Sequence, residues 1–202
     1  MIFEDAERVY EFLVTRLKVD PREIIIFGRS IGSGPASHLA SKKTIGALVL
    51  MSAFTSIKSA TKDIAGTWAK FLIKERFDNL KAISQVSCPT FFVHGQCDNL
   101  VPYHHSKLLQ GNLILLRLGI YDVKIEACKA PSELFLPKKM NHVEFEIFED
   151  FVFPLKGFLE KCGFKEKRLG TNRISFPRKF FETPEHLKPQ RSLRRSVSPI
   201  RY

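Results

Sequence analysis

The stretch that most narrows what this chain can fold into runs from Glu23 to Ser41. Glu23–Phe27 (EIIIF) is a short β-branched run of the kind that suits a strand buried on both faces. Gly28-Arg29-Ser30-Ile31-Gly32 follows at once, and a glycine- and alanine-rich helix is expected over about Gly32–Ser41. A strand that turns straight into a helix opens a βαβ unit, and the pattern then recurs. Ala47–Phe54 (ALVLMSAF), Pro89–Val93 (PTFFV) and Glu133–Leu136 (ELFL) read as further strands, and residues 55–86 as helices. Residues 2–18 read as an amphipathic helix, with Val9, Phe12, Leu13 and Leu17 at helical spacing and Asp20-Pro21 ending it. Phe145–Cys162 reads as another, interrupted near Pro154. Strands alternating with helices predict an α/β fold: a mostly parallel sheet flanked by helices, joined by right-handed crossovers. In such sheets the chemistry gathers beyond the carboxyl ends of the strands.

Three of the four strand ends carry reactive residues. Ser30 lies in a G-x-S-x-G sequence between strand and helix, where Gly28 and Gly32 leave room for a tight turn that exposes its hydroxyl. The Ile31 backbone N–H would then point at a developing oxyanion, aided by the helix N-terminus. The competing reading is a purely structural glycine turn. Asp98, in His94-Gly95-Gln96-Cys97-Asp98-Asn99-Leu100-Val101-Pro102, lies just past the third strand. It could orient a histidine or merely cap the helix near Pro102. His142 follows the fourth strand as candidate general base and acid. The chain order Ser, Asp, His is that of α/β-hydrolases. His94 reads as a packing histidine. His104-His105 reads as a surface pair, because adjacent helical residues diverge and no other ligands cluster around them in sequence. No metal site is expected.

Composition removes other classes. Hydrophobic residues make up 44%, which is normal for a globular core. No apolar run approaches the length of a membrane span, and no signal peptide opens the chain. Cys88, Cys97, Cys128 and Cys162 form no CxxC pair, which argues against a disulfide scaffold and for a reducing, cytoplasmic location. The net charge of +11 is uneven: residues 163–202 carry eleven Lys/Arg against three Asp/Glu, leaving +3 for residues 1–162. With four prolines, residues 163–202 read as a basic, disordered tail. Three roles stay open for it: an inert tail, a polybasic contact with anionic membrane carrying Phe180-Phe181 beside Arg178-Lys179, or, least favoured, nucleic-acid binding.

GRSIGSGPASHLAS, HGQCDNLVP and KKMNHVEFE together resemble the α/β-hydrolase domain proteins, in particular family 17, the palmitoyl-protein thioesterase-like serine hydrolases. The resemblance covers about residues 1–162. It implies hydrolysis of acyl thioesters on protein cysteines through an acyl-serine intermediate, with Ser30 as nucleophile, His142 as base and Asp98 as its orienting partner. A lipid carboxylesterase is the enzyme alternative, and a catalytically inactive interaction module is the alternative of another class. The resemblance implies neither a metal nor an organic cofactor.

Two departures from the family pattern generate expectations. The chain opens at the helix just before the Ser30 turn, without the family's earlier strands or the loop that supplies a second oxyanion donor. A partial α/β-hydrolase domain is therefore expected, read as an incomplete gene model or split fragment, with the EIIIF strand left as an apolar edge. Asp98 and His142 are also 44 residues apart, farther than the family's usual spacing. Gly111–Ile125 is expected to be an insertion that interrupts one helix, either a retained intron or a real lid that binds the acyl chain.

Overall fold

Ala47–Met51 (β2) and Thr90–Val93 (β3) are buried at every position, as strands covered on both faces must be. They are the centre of a four-stranded parallel sheet in a computed structural model that describes residues 2–66, 77–117 and 130–165. Ile25–Arg29 (β1) pairs with β2, and Ser132–Phe135 (β4) pairs with β3, in the order β1-β2-β3-β4. The register sets Gly28 opposite Leu50, Leu50 opposite Phe92, and Phe92 opposite Leu134.

The period-two alternation of the strands divides the core. Leu48, Leu50 and Phe92 face a layer built from Ile2–Glu11 (α1), Ser33–Lys42 (α2), Asn79–Ile83 (α4) and His104–Arg117 (α5), and pack with Leu39, Ile83, Leu109 and Leu113. Val49, Met51, Phe91 and Val93 face the opposite way and pack on Phe158 of Phe153–Lys161 (α6). Ile57–Ala65 (α3) lies after β2. Because the strands are parallel, Ser30, Thr55, Asp98 and His142 all follow the same, carboxyl end of the sheet.

The structure moves several expected boundaries. The first strand starts later than EIIIF and takes in Gly28 and Arg29, since Pro21–Glu23 forms a 3-10 turn capped by the Asp20 side chain. It is not buried on both faces: Ile25 and Phe27 are 41% and 51% exposed. The reason is position, because among the described residues β1 pairs on one side only, as expected for an apolar edge. The first helix passes into a π-helical segment at Phe12–Arg16. The last is not interrupted at Pro154: a π-helical Ile147–Val152 passes directly into α6, whose first turn holds the proline, where no backbone N–H is needed. Gly111 does not interrupt a helix. α5 runs unbroken to Arg117, with Leu109 and Leu113 buried one turn apart and Asn112 Nδ2 donating to the Leu80 carbonyl at 3.2 Å. Residues 118–125 of the expected insertion, and the basic tail from 166 onward, lie outside the described residues. No helix among the described residues is long and apolar enough to cross a membrane.

Candidate active site

The turn after β1 is tight enough to force its residues into place. Ser30 has φ 50°, a left-handed conformation that costs a non-glycine residue free energy and persists only where the surroundings hold it. Those surroundings are visible: Ser33 Oγ donates to the Ser30 carbonyl at 2.6 Å, and the buried Asn79 Nδ2 donates to Ser33 Oγ at 3.0 Å. At Gly28 an added Cβ would lie 2.6 Å from both the Ala36 Cβ and the Gly32 carbonyl oxygen, so strand and helix approach too closely there for any side chain. Gly32 differs from its expected part. A Cβ there meets nothing within 4 Å and its φ is −67°, so the turn does not require it. Ile31 is the second residue of the 3-10 turn Ser30–Gly32, where N–H groups have no intrahelical acceptor.

The other two strand ends meet this turn. His142 Nε2 lies 3.0 Å from Ser30 Oγ, and His142 Nδ1 lies 2.8 Å from Asp98 Oδ2. The buried Asp98 carboxylate also accepts the backbone N–H groups of Leu100 and Val101 through Oδ1 at 3.0 and 2.8 Å. Asp98 thus meets the histidine through Oδ2 and closes a turn through Oδ1; it does not cap the following helix, which begins only at His104. Burial alone would raise its pKa. Hydrogen bonds from His94, the Val101 N–H and His142 outweigh burial and bring the carboxyl down to about 2. An ionised Asp98 requires the His142 proton on Nδ1, which leaves Nε2 as an acceptor for the Ser30 hydroxyl.

Several supports carried no signal in the sequence. Arg29, the unspecified second residue of the turn motif, donates through Nη2 to the His142 carbonyl and sits over the Phe145 ring at 5.4 Å. It therefore grips the backbone of the histidine loop. Gly95 lets the Asp98 loop press on that loop, for a Cβ there would come within 2.1 Å of the Met140 carbonyl oxygen. The two loops are joined by Cys97 N–H to the Met140 carbonyl at 3.1 Å and Gln96 N–H to the Pro137 carbonyl at 2.9 Å. His94 is buried and packed, as expected, yet it is also an electrostatic partner of the site. Its Nε2 lies 2.7 Å from the Val101 carbonyl and 3.4 Å from Asp98 Oδ2, and Nδ1 lies 2.7 Å from Ser106 Oγ.

The surface reading of His104-His105 holds for His104, which is half exposed, and is overturned for His105. His105 is fully buried, the two rings stack at 4.5 Å, and both Nε2 atoms approach Asp63 Oδ2, at 3.2 and 3.0 Å. Two neighbours can meet one carboxylate because they occupy the start of α5, facing α3, rather than a helix interior. Burial, reinforced by the nearby His104, lowers the His105 pKa to about 4. The His94 ring, which also approaches Asp98, adds to the lowering.

A parallel sheet with helices on both faces, a strained serine turn at one strand end and a histidine and carboxylate at two others define the α/β-hydrolase fold. The solved structures it resembles agree. The Pyrococcus horikoshii acylaminoacyl peptidase matches with a TM-score of 0.60 at 17% identity, covering 85% of this chain and 29% of that one. The esterase domain of a Rhodothermus marinus protein matches with a TM-score of 0.54 at 12% identity, covering 79% and 68%. At such identities the likeness concerns the fold.

Sequence similarity is narrower: the chain is similar to the alpha/beta hydrolase domain-containing proteins 17B and 17C. It is 26% identical over 161 residues to human 17B, covering 79% of this chain and 49% of that protein. Against Xenopus tropicalis 17C it is 27% identical over 159 residues, covering 78% and 45%. It also matches Caenorhabditis elegans alpha/beta hydrolase domain-containing protein aho-3, at 26% over 160 residues, covering 79% and 42%. The chain thus spans about half the length of the curated relatives it matches. No protein-family model matches it.

Proposed function

We propose that this chain is a serine hydrolase that cleaves acyl thioesters, with S-acylated protein cysteines as its substrate class. The observation that carries the reading is the continuous line from Asp98 through His142 to Ser30, at 2.8 and 3.0 Å. Ser30 Oγ attacks the acyl carbonyl as its proton passes to His142 Nε2, and Asp98 stabilises the imidazolium through Nδ1. The tetrahedral oxyanion is held by the Ile31 N–H. Its collapse expels the cysteine thiolate, which takes the proton from His142. Water, deprotonated by His142, then attacks the acyl-serine; the fatty acid leaves and Ser30 recovers its hydrogen.

Two features support an apolar acyl group. Ile31 and Val143, the chain neighbours of Ser30 and His142, expose 57% and 74% of their surface beside the reacting atoms. The homology to the family-17 proteins points the same way. The basic tail supports work at an anionic membrane surface, where acylated cysteines reside. A fluorophosphonate probe tests the nucleophile: labelling of the folded chain that disappears in Ser30→Ala is expected. A folded chain that never labels would overturn the enzyme reading and leave an interaction module. Faster turnover of a palmitoyl oxyester than of the matching thioester would move the substrate class to lipid esters.

A further inference from the structure

We propose that Asp63, His104 and His105 form a zinc site that bridges α3 and the first turn of α5, apart from the hydrolase chemistry. A tetrahedral zinc ion with bonds of about 2.0–2.2 Å holds its ligand atoms roughly 3.3 Å apart. Asp63 Oδ2 already lies 3.2 Å from His104 Nε2 and 3.0 Å from His105 Nε2, and the three ligand atoms all fall within 4.8 Å of one another. Two borderline imidazole nitrogens and one hard carboxylate oxygen are a donor set that zinc takes, and three protein ligands leave a fourth position for water.

A simple ion-pair clamp explains the cluster less well. The His105 Nε2 atom is buried and, despite the nearby carboxylate, has no hydrogen-bond partner in a suitable direction. A buried ring nitrogen in that condition costs free energy unless something else engages it. A metal ion would do so. On the far side of the ring, His105 Nδ1 faces Thr55, whose backbone N–H donates to it at 3.3 Å and whose Oγ1 lies 3.0 Å away. His104 is half exposed and Asp63 partly so, which leaves a path for the ion and room for the His104 ring to turn toward it.

The test uses the full chain, stripped with chelator and titrated with zinc chloride against a chromogenic competitor. His104→Ala and Asp63→Ala change exposed side chains, and circular dichroism checks that both remain folded. His142→Ala controls for zinc captured by the hydrolase residues. The expected result is one zinc per chain, bound at least ten-fold more weakly in each of the first two variants and equally well in His142→Ala. Absence of saturable binding, less than ten-fold weakening in either variant, or weakening in His142→Ala would overturn the assignment.

Discussion

Replacing Asp98 with Asn tests the site with almost no change of shape. The Asn carbonyl can take the place of Oδ1 and keep the N–H groups of Leu100 and Val101 at 3.0 and 2.8 Å. The amide NH2 then faces His142 Nδ1 where Oδ2 stood at 2.8 Å. Two N–H donors cannot share that contact, so the ring shifts its proton to Nε2 and can no longer accept the Ser30 hydrogen. The expected loss is on the order of 10^4-fold in the rate of Ser30 acylation, or about 5.5 kcal/mol of transition-state stabilisation. Stability falls far less. A carboxyl lowered from 3.8 to about 2 contributes about 2 kcal/mol at neutral pH. The assay pairs the second-order rate of fluorophosphonate labelling with urea melts on the same samples. A folded Asp98→Asn chain that labels within ten-fold of the parent would refute the orienting role.

Other outcomes follow from the same geometry. Asp98 has a lowered folded-state pKa, so its contribution is complete above the unfolded value of 3.8 and disappears as pH falls toward about 2. Urea melts should lose about 2 kcal/mol across that window in the parent and show a smaller loss in Asp98→Asn. Gly95→Ala should destabilise the fold by about 1–3 kcal/mol and slow labelling, because its Cβ would push the Met140 carbonyl away and part the two loops. Gly32→Ala has open space and an ordinary φ, and its melting temperature should match or exceed the parent's. Removing residues 163–202 should abolish co-sedimentation with phosphatidylserine vesicles at low salt; undiminished binding would detach the tail from membrane contact.

Much of the architecture was legible because strands of a parallel sheet declare themselves locally. ALVLM and TFFV are apolar at every position, and a chain can bury such runs only between two layers. The candidate site residues were legible for a related reason: Ser30, Asp98 and His142 each sit just past a strand, and parallel strands end on one side. The supports were not legible. Arg29 is an unconstrained position in its motif, Gly95 is one glycine among eleven, and His94 is a lone histidine. Each matters through a partner between 4 and 113 residues away, such as the His142 carbonyl that Arg29 holds.

From the sequence alone come the α/β alternation, the serine turn and the order Ser, Asp, His, because these depend on local periodicity and on which residues end each strand. Tertiary structure decided the exposure of β1, which follows from its place at the edge rather than from its composition. It also decided that Gly28 but not Gly32 is sterically required, and that α5 continues through Gly111. The clearest case is His104-His105. In sequence they are adjacent residues expected to diverge, whereas in the fold both reach Asp63 of another helix. Their meeting depends on how α3 packs against the start of α5, and the spacing of residues along the chain does not encode that distance.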